Sequence, residues 1–245
     1  MRKAMLVLVM FLCAVAFSTA VMATGPVARV TFIEGQANMI RGDAGQGRQL
    51  KVNLPLQVGD RIQSAEESMV EITYKNGEIA RLAEMSSLTI DESGETAVKS
   101  SLVAGRVWVN MKKLTSTKRQ FDMESPTAVA SIRGTVYDMC AAQDSSVDVS
   151  VFDGKVAVGP SKNLNDRLKK ENKMPSGEPQ EVPGPDEVPG PYEVTLEQWQ
   201  MIVAGQQISV RADGKYATKS FDLKGEADSF VQKNRLLDSQ TGKRK

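Results

Sequence analysis

S-P-T-A-V-A-S-I-R-G-T-V-Y-D-M (residues 125–139) and, after a short run of polar and small residues, V-S-V-F-D-G-K-V-A-V (residues 149–158) decide the fold. Val147, Val149 and Val151 alternate with Asp148 and Ser150. A period of two places every second side chain on one face, so the segment reads as a half-buried strand. Asp153-Gly154 accepts the positive φ angles of a type I′ turn and closes a hairpin onto Lys155–Val158.

The same period runs outward from this stretch. Val30 and Phe32 alternate with Arg29 and Thr31, and Val70, Ile72 and Tyr74 with Glu71 and Thr73. Val107, Val109 and Met111 alternate with Arg106, Trp108 and Asn110. Asn76-Gly77 marks a second hairpin. A glycine turn enters a strand at Gly35, Gly77, Gly105 and Gly154, with spacings of 42, 28 and 49 residues. That spacing is too irregular for a strict repeat, yet it fits a stack of short strands with a glycine at each corner.

Thr127, Ala128, Val129, Ala130, Ile132, Arg133, Gly134 and Thr135, followed by the Val149–Val158 hairpin, resemble the end of the FecR domain, named after the ferric-citrate sensor of Gram-negative bacteria. Leu56-Gln57-Val58-Gly59-Asp60-Arg61-Ile62 resembles that family's Gly-Asp turn. Asn76-Gly77 with Ala80-Arg81-Leu82 resembles a hairpin of the domain, and Leu102 to Val109, with Gly105, one of its strands. Ala204 to Arg211 resembles its closing strand. The resemblance spans roughly residues 30–160, with Asp60, Gly77, Gly105, Ile132, Arg133, Gly134, Thr135 and Gly154 as its structural motif residues. It implies an all-β, compact β-solenoid-like or sandwich-like FecR domain with one short C-terminal helix. It also implies an extracytoplasmic sensing or interaction module that is not a catalyst. FecR proper resembles a longer architecture with a cytoplasmic anti-sigma segment and a membrane helix. Neither is expected here, so sigma-factor control is not carried over.

The first 23 residues have the order of a secretory signal. Arg2 and Lys3 precede an apolar run from Ala4 to Phe17, and Val21-Met22-Ala23 offers a processing site. Cleavage is expected after Ala23, with Ala20 as second choice, placing the chain in the periplasm or outside the cell. An uncleaved anchor is the alternative. A mature chain of 222 residues, 245 less 23, is long enough for one domain with extensions. Without Arg2 and Lys3, the 31 basic residues fall to 29 against 30 acidic, a formal charge of −1. This balance argues against nucleic acid as a partner, and no second apolar stretch of spanning length follows the signal. Cys140 is the only cysteine after cleavage, so no internal disulfide is expected. It reads as a small buried hydrophobe, or as a thiol that pairs between chains.

The chain has no histidine. That removes the commonest general base, the Ser-His and Cys-His pairs and most catalytic zinc sites. No phosphate loop or nucleophile elbow is present. Asp91-Glu92 and Glu66-Glu67 are adjacent, so on a strand they point to opposite faces and do not converge as a glycosidase pair must. No enzyme activity, metal or cofactor is expected.

The domain is expected over residues 24–162, with a Pro-rich flexible insert at 163–193 containing E-V-P-G-P at 181–185 and again at 187–191. Gly interrupts each proline pair, which favours a linker over a docking motif. Residues 194–215 supply the closing strand, and 216–245 an extension with a short amphipathic helix from Glu226 to Leu237. Two residues are binding candidates. Arg133 reads either as a partner-gripping cation or, preferred, as an internal ion pair with Asp60 or Glu34. Trp108 alternates out of phase with Val107 and Val109. It reads as an exposed hot spot or as a side chain covered by a loop or the C-terminal helix. The expected partner is an envelope protein or other ligand. The alternative is a structural scaffold that binds cell-wall glycan by stacking on Trp108 or Tyr192 and Trp199.

Overall fold

The computed structural model describes residues 25–42, 47–75, 77–94, 97–111, 120–171, 194–196, 198–225 and 227–241. The signal segment, Asn76 and the E-V-P-G-P repeats lie outside the described residues.

The chain begins with β1 (Ala28–Glu34), β2 (Ala37–Arg41), β3 (Arg48–Gln49), β4 (Pro55–Leu56), β5 (Asp60–Ser64) and β6 (Met69–Tyr74). It continues through β7 (Ile79–Leu82), β8 (Ser87–Ser93), β9 (Ala97–Asn110), β10 (Gln120–Glu124), β11 (Ala128–Ile132) and β12 (Val136–Ala141). β13 (Val147–Asp153) and β14 (Lys155–Pro160) do not pair with each other, so Asp153-Gly154 does not close the expected hairpin; β14 leads into α1 (Lys162–Glu171). β15 (Val194–Thr195), β16 (Gln200–Val203), β17 (Gln206–Val210), β18 (Lys215–Ser220) and α2 (Ser229–Thr241) complete the described chain.

The strands fall into two sheets that share β9. Sheet A runs β4-β1-β6-β7-β9-β12-β13-β17-β18-β15. Sheet B runs β3-β2-β5-β8-β9-β10-β11-β14-β16. Only β9–β10 is parallel among these pairs. The chain therefore winds from one layer to the other, which unites the solenoid-like and sandwich-like expectations in one all-β coil. Crossings occur at Gly35, Gly105, Gly134, Gly154 and Gly205, all with positive φ. Gly77 belongs instead to the β6–β7 hairpin within sheet A.

Inward side chains of both sheets form one core, including Ile72, Leu82, Val107 and Val151 from sheet A and Ile62, Leu88, Phe121 and Val156 from sheet B. The Tyr74 hydroxyl lies 2.8 Å from Ser100 Oγ across the layers, and its ring meets Phe121 edge-on at 5.4 Å. Burial pushes the Tyr74 hydroxyl above the usual tyrosine range.

One edge of the coil is built from a repeated corner. Ala65-Glu66-Glu67-Ser68 and Ala83-Glu84-Met85-Ser86 lie 18 residues apart. Glu67 and Met85 both adopt φ 50°. Ser68 Oγ donates to Glu66 O and Ser86 Oγ to Glu84 O, each at 2.9 Å. In return, Ser68 Oγ accepts the Gln36 N–H and Ser86 Oγ the Arg106 N–H, again at 2.9 Å. Each serine thereby satisfies the backbone group that follows a crossing glycine, which would otherwise be stranded in the bend.

Three further expectations need correction. The stretch after residue 162 begins with a helix, so the fold has α1 besides the C-terminal one. Ser161 caps it, accepting the Leu164 N–H at 3.1 Å and donating to Pro126 O at 2.8 Å. Leu164 is buried, and Lys169 and Lys170 sit favourably at the C-terminal end. Second, the extension after residue 215 starts with a strand, β18, which pairs with β17 along Gln206–Val210. Third, the C-terminal helix is longer and later than expected, running from Ser229 to Thr241. Asp228 caps it by accepting the Val231 N–H at 2.9 Å.

Candidate interaction surfaces

The motif residues build the frame. Asp60 is fully buried and accepts the Gln57 N–H at 2.8 Å. Its carboxylate receives both arms of Arg41, at 2.6 and 2.7 Å. Ile132 lies in the core, and the buried Thr135 donates to Lys155 O at 2.8 Å. That bond ties the Gly134 crossing to the Gly154 crossing, where a Cβ on Gly154 would come within 3.0 Å of Gly134 O.

Arg133 does not form the expected internal ion pair. Its side chain is exposed. Asp60 is held by Arg41, and Glu34 pairs with Lys233. The reason is local: Gly134, at φ +70°, bends the chain out of strand geometry and turns Arg133 to solvent. Trp108 is likewise not an exposed hot spot. It is 1% exposed and lies under the C-terminal helix, the second of the two readings. Its Nε1 donates to Asp238 at 3.0 Å, and its ring packs on Phe152 at 4.8 Å. Cys140 is half-buried rather than buried, because it sits on the outer face of sheet A opposite Arg106.

That outer face carries a charged array that alternation alone does not reveal. Arg81 on β7 is fully buried; its Nε reaches Glu71 at 2.6 Å and its Nη1 reaches Asp238 at 2.5 Å. Arg106 on β9 grips the Asp138 carboxylate at 2.6–3.0 Å and Asp228 at 2.8 Å, with Phe230 stacked 5.0 Å from its guanidinium. A single out-of-phase arginine looks like a solvated residue in sequence; only the helix that covers it makes it structural.

Burial pushes the Asp138 carboxyl up to about 6, and its fork with Arg106 only partly offsets this. A folded value above the unfolded one stabilises the fold most below about pH 4, and this contribution is lost as pH rises through about 6. The shift corresponds to roughly 3 kcal/mol. Denaturant titrations at pH 4 to 7 should show Asp138→Asn flattening that segment of the stability curve. An unchanged difference between wild type and variant across the range would refute the raised value.

Sheet B presents an open outer face at its β16 end. Trp199, Met201 and Val203 are 56%, 56% and 44% exposed, while Ile202 points into the core. Among the described residues β16 pairs only with β14, so its far side is a sheet edge. The Trp199 ring lies flat on Gly159: a Cβ there would come within 2.5 Å of it. Glycine thus supports one face of the indole and leaves the other to solvent. Neither carboxylate pair converges: Asp91 bonds Ser101 at 2.5 Å, and Glu66 and Glu67 are exposed on a turn. No group of three or more metal-ligating side chains occurs among the described residues. No described helix is long and apolar enough to cross a membrane.

Two sheets wound as one coil carry a helix strapped over one outer face and an apolar patch on the other. Residues 60–157 match the family model described as FecR protein. β1 to β4 and β16 to β18 lie outside the matched residues yet pair into the same two sheets. Two crystal structures of a proposed anti-sigma factor from Parabacteroides distasonis are similar at 16% identity and a TM-score of 0.46. Each match covers 67% of this chain and 61% of that one. No curated protein matches the chain significantly.

Proposed function

We propose that the protein is an extracytoplasmic, non-enzymatic interaction module that captures an envelope protein through the β16 end of sheet B. The observation that carries this reading is the exposed trio Trp199, Met201 and Val203 on a strand that pairs on one side only among the described residues. An edge strand offers main-chain donors and acceptors to an incoming extended segment, and alternate apolar side chains give that segment its register. Trp199 is the residue type that dominates binding energy at such surfaces. The exposed Arg133 lies near the same end, because Ile132 pairs with Val156 and Val156 with Ile202. It supplies a cation for a partner carboxylate. The Arg2-Lys3 and Val21-Met22-Ala23 pattern supports export to the periplasm.

A glycan-binding scaffold is the second reading. It is favoured by the free face of Trp199 alone, since a flat indole backed by glycine can stack on a sugar ring. A photo-crosslinker at position 201 should yield a discrete protein adduct in cells, lost in Trp199→Ala, while the melting temperature changes by a few degrees at most. Co-sedimentation of the purified protein with peptidoglycan, abolished by the same substitution and without any protein adduct, would replace the first reading by the second.

A further inference from the structure

We propose that the outer face of sheet A is a helix-binding site for a partner-protein helix that presents two carboxylates, with α2 as its in-chain occupant. This goes beyond the sheet B surface and does not depend on it.

The floor of the site is the first argument. Arg81 and Trp108 are fully buried on the side of the sheet away from the core, and Arg106 lies beside them. Trp and Arg are the side chains that anchor protein interfaces. Each guanidinium already holds one carboxylate of the sheet, Glu71 on Arg81 and Asp138 on Arg106. α2 supplies a further acceptor to each: Asp228 binds Arg106, Asp238 binds Arg81 and the indole N–H of Trp108, and Asn234 Oδ1 accepts from Arg81 Nη1 at 3.3 Å. The two aspartates, one the cap and the other inside the helix, lie ten positions apart, a helical rise of about 15 Å. The site therefore reads a helix by two carboxylates at that spacing.

The fit of the occupant is the second argument. Val231 is the only fully buried apolar side chain of the described helix, and Leu236 faces solvent. Clefts remain along its N-terminal half. One of about 220 Å³ brings Phe221 and Val231 beside Arg106, Asp138 and Arg235, and one of about 280 Å³ brings Met69 and Phe230 beside Glu34 and Lys233. A partner helix with a longer side chain at the Val231 position would fill space that α2 leaves empty. The tether also permits exchange. The described residues from Phe221 to Asp228 contain no helix or strand, only bends and turns that include Gly225.

The test uses the full chain and a fluorescent peptide spanning residues 227–241. In-chain Asp228→Asn with Asp238→Asn should loosen α2, seen as faster hydrogen exchange over 229–241 and over 105–110. The loosened chain should then bind the peptide at least tenfold more tightly than wild type. A peptide with both aspartates replaced by asparagine should bind at least tenfold more weakly. If the double variant unfolds, Asp228→Asn alone gives a milder opening for the same comparison. Three results would overturn the proposal: a loosened chain that ignores the peptide, equal binding of the native and asparagine-substituted peptides, or unchanged protection of both segments in the variants.

Discussion

Gly105→Val should destabilise the domain by about 3–5 kcal/mol, the larger of the two glycine effects expected in this fold. Gly105 sits inside β9 where that strand leaves sheet B, pairing with β8 and β10, and enters sheet A, pairing with β7 and β12. Its φ is +92°, a region side-chain-bearing residues rarely adopt. An added Cβ would also lie 2.5 Å from the Cα of Ser86 and 2.7 Å from its Cβ. Backbone cannot swing aside, so the corner that Ser86 closes on the Arg106 N–H would have to open. Gly77→Val is the control. Gly77 has nearly the same φ, +90°, with nothing within 4 Å of its Cβ position. It should lose only about 1–2 kcal/mol. Denaturant midpoints at constant slope separate the two; equal losses would mean that backbone conformation, not the close approach to Ser86, sets the requirement.

Arg81→Met should destabilise by about 3–5 kcal/mol, because it leaves Glu71 and Asp238 without the cation that neutralises them under α2. The effect should be strongly non-additive with Asp238→Asn, since both report one ion pair. Lys233→Ala, which removes the exposed pair with Glu34, should change stability by less than about 1 kcal/mol. A double-mutant cycle for Arg81 and Asp238 with coupling near zero would mean that α2 is held by its apolar contacts instead. That outcome would weigh against carboxylate recognition at the same face.

Much of the coil was legible in local patterns. Alternation at Val147–Val151, Val70–Tyr74 and Val107–Val109 sets which side chains face the core, because the strand period is two whatever the partner. Gly35, Gly105 and Gly154 mark corners in the sequence, since only glycine tolerates those backbone angles cheaply; Asp153-Gly154 reads as a hairpin turn but is a crossing, because β13 and β14 pair with strands of different sheets. Alternation could not say what covers the other face. Trp108, Arg81 and Arg106 share the outer face of sheet A, and whether such a row is wet depends on an element more than 120 residues later in the chain. Asp228, Asn234 and Asp238 look like ordinary solvated positions until α2 lies across the sheet. Arg133 failed in the opposite sense. On a continuing strand it would reach an internal partner, but Gly134 bends the chain, and Asp60 and Glu34 are held by Arg41 and Lys233. The paired corners at Ser68 and Ser86 were readable only in retrospect. Their common pattern, Ala-Glu-x-Ser, is short and polar, and its meaning lies in backbone N–H groups supplied by Gln36 and Arg106 from other turns of the coil. Short-range backbone preference is written residue by residue. Burial of an outward face, the partner of a long cation and the bond that closes a corner arise only when distant segments meet.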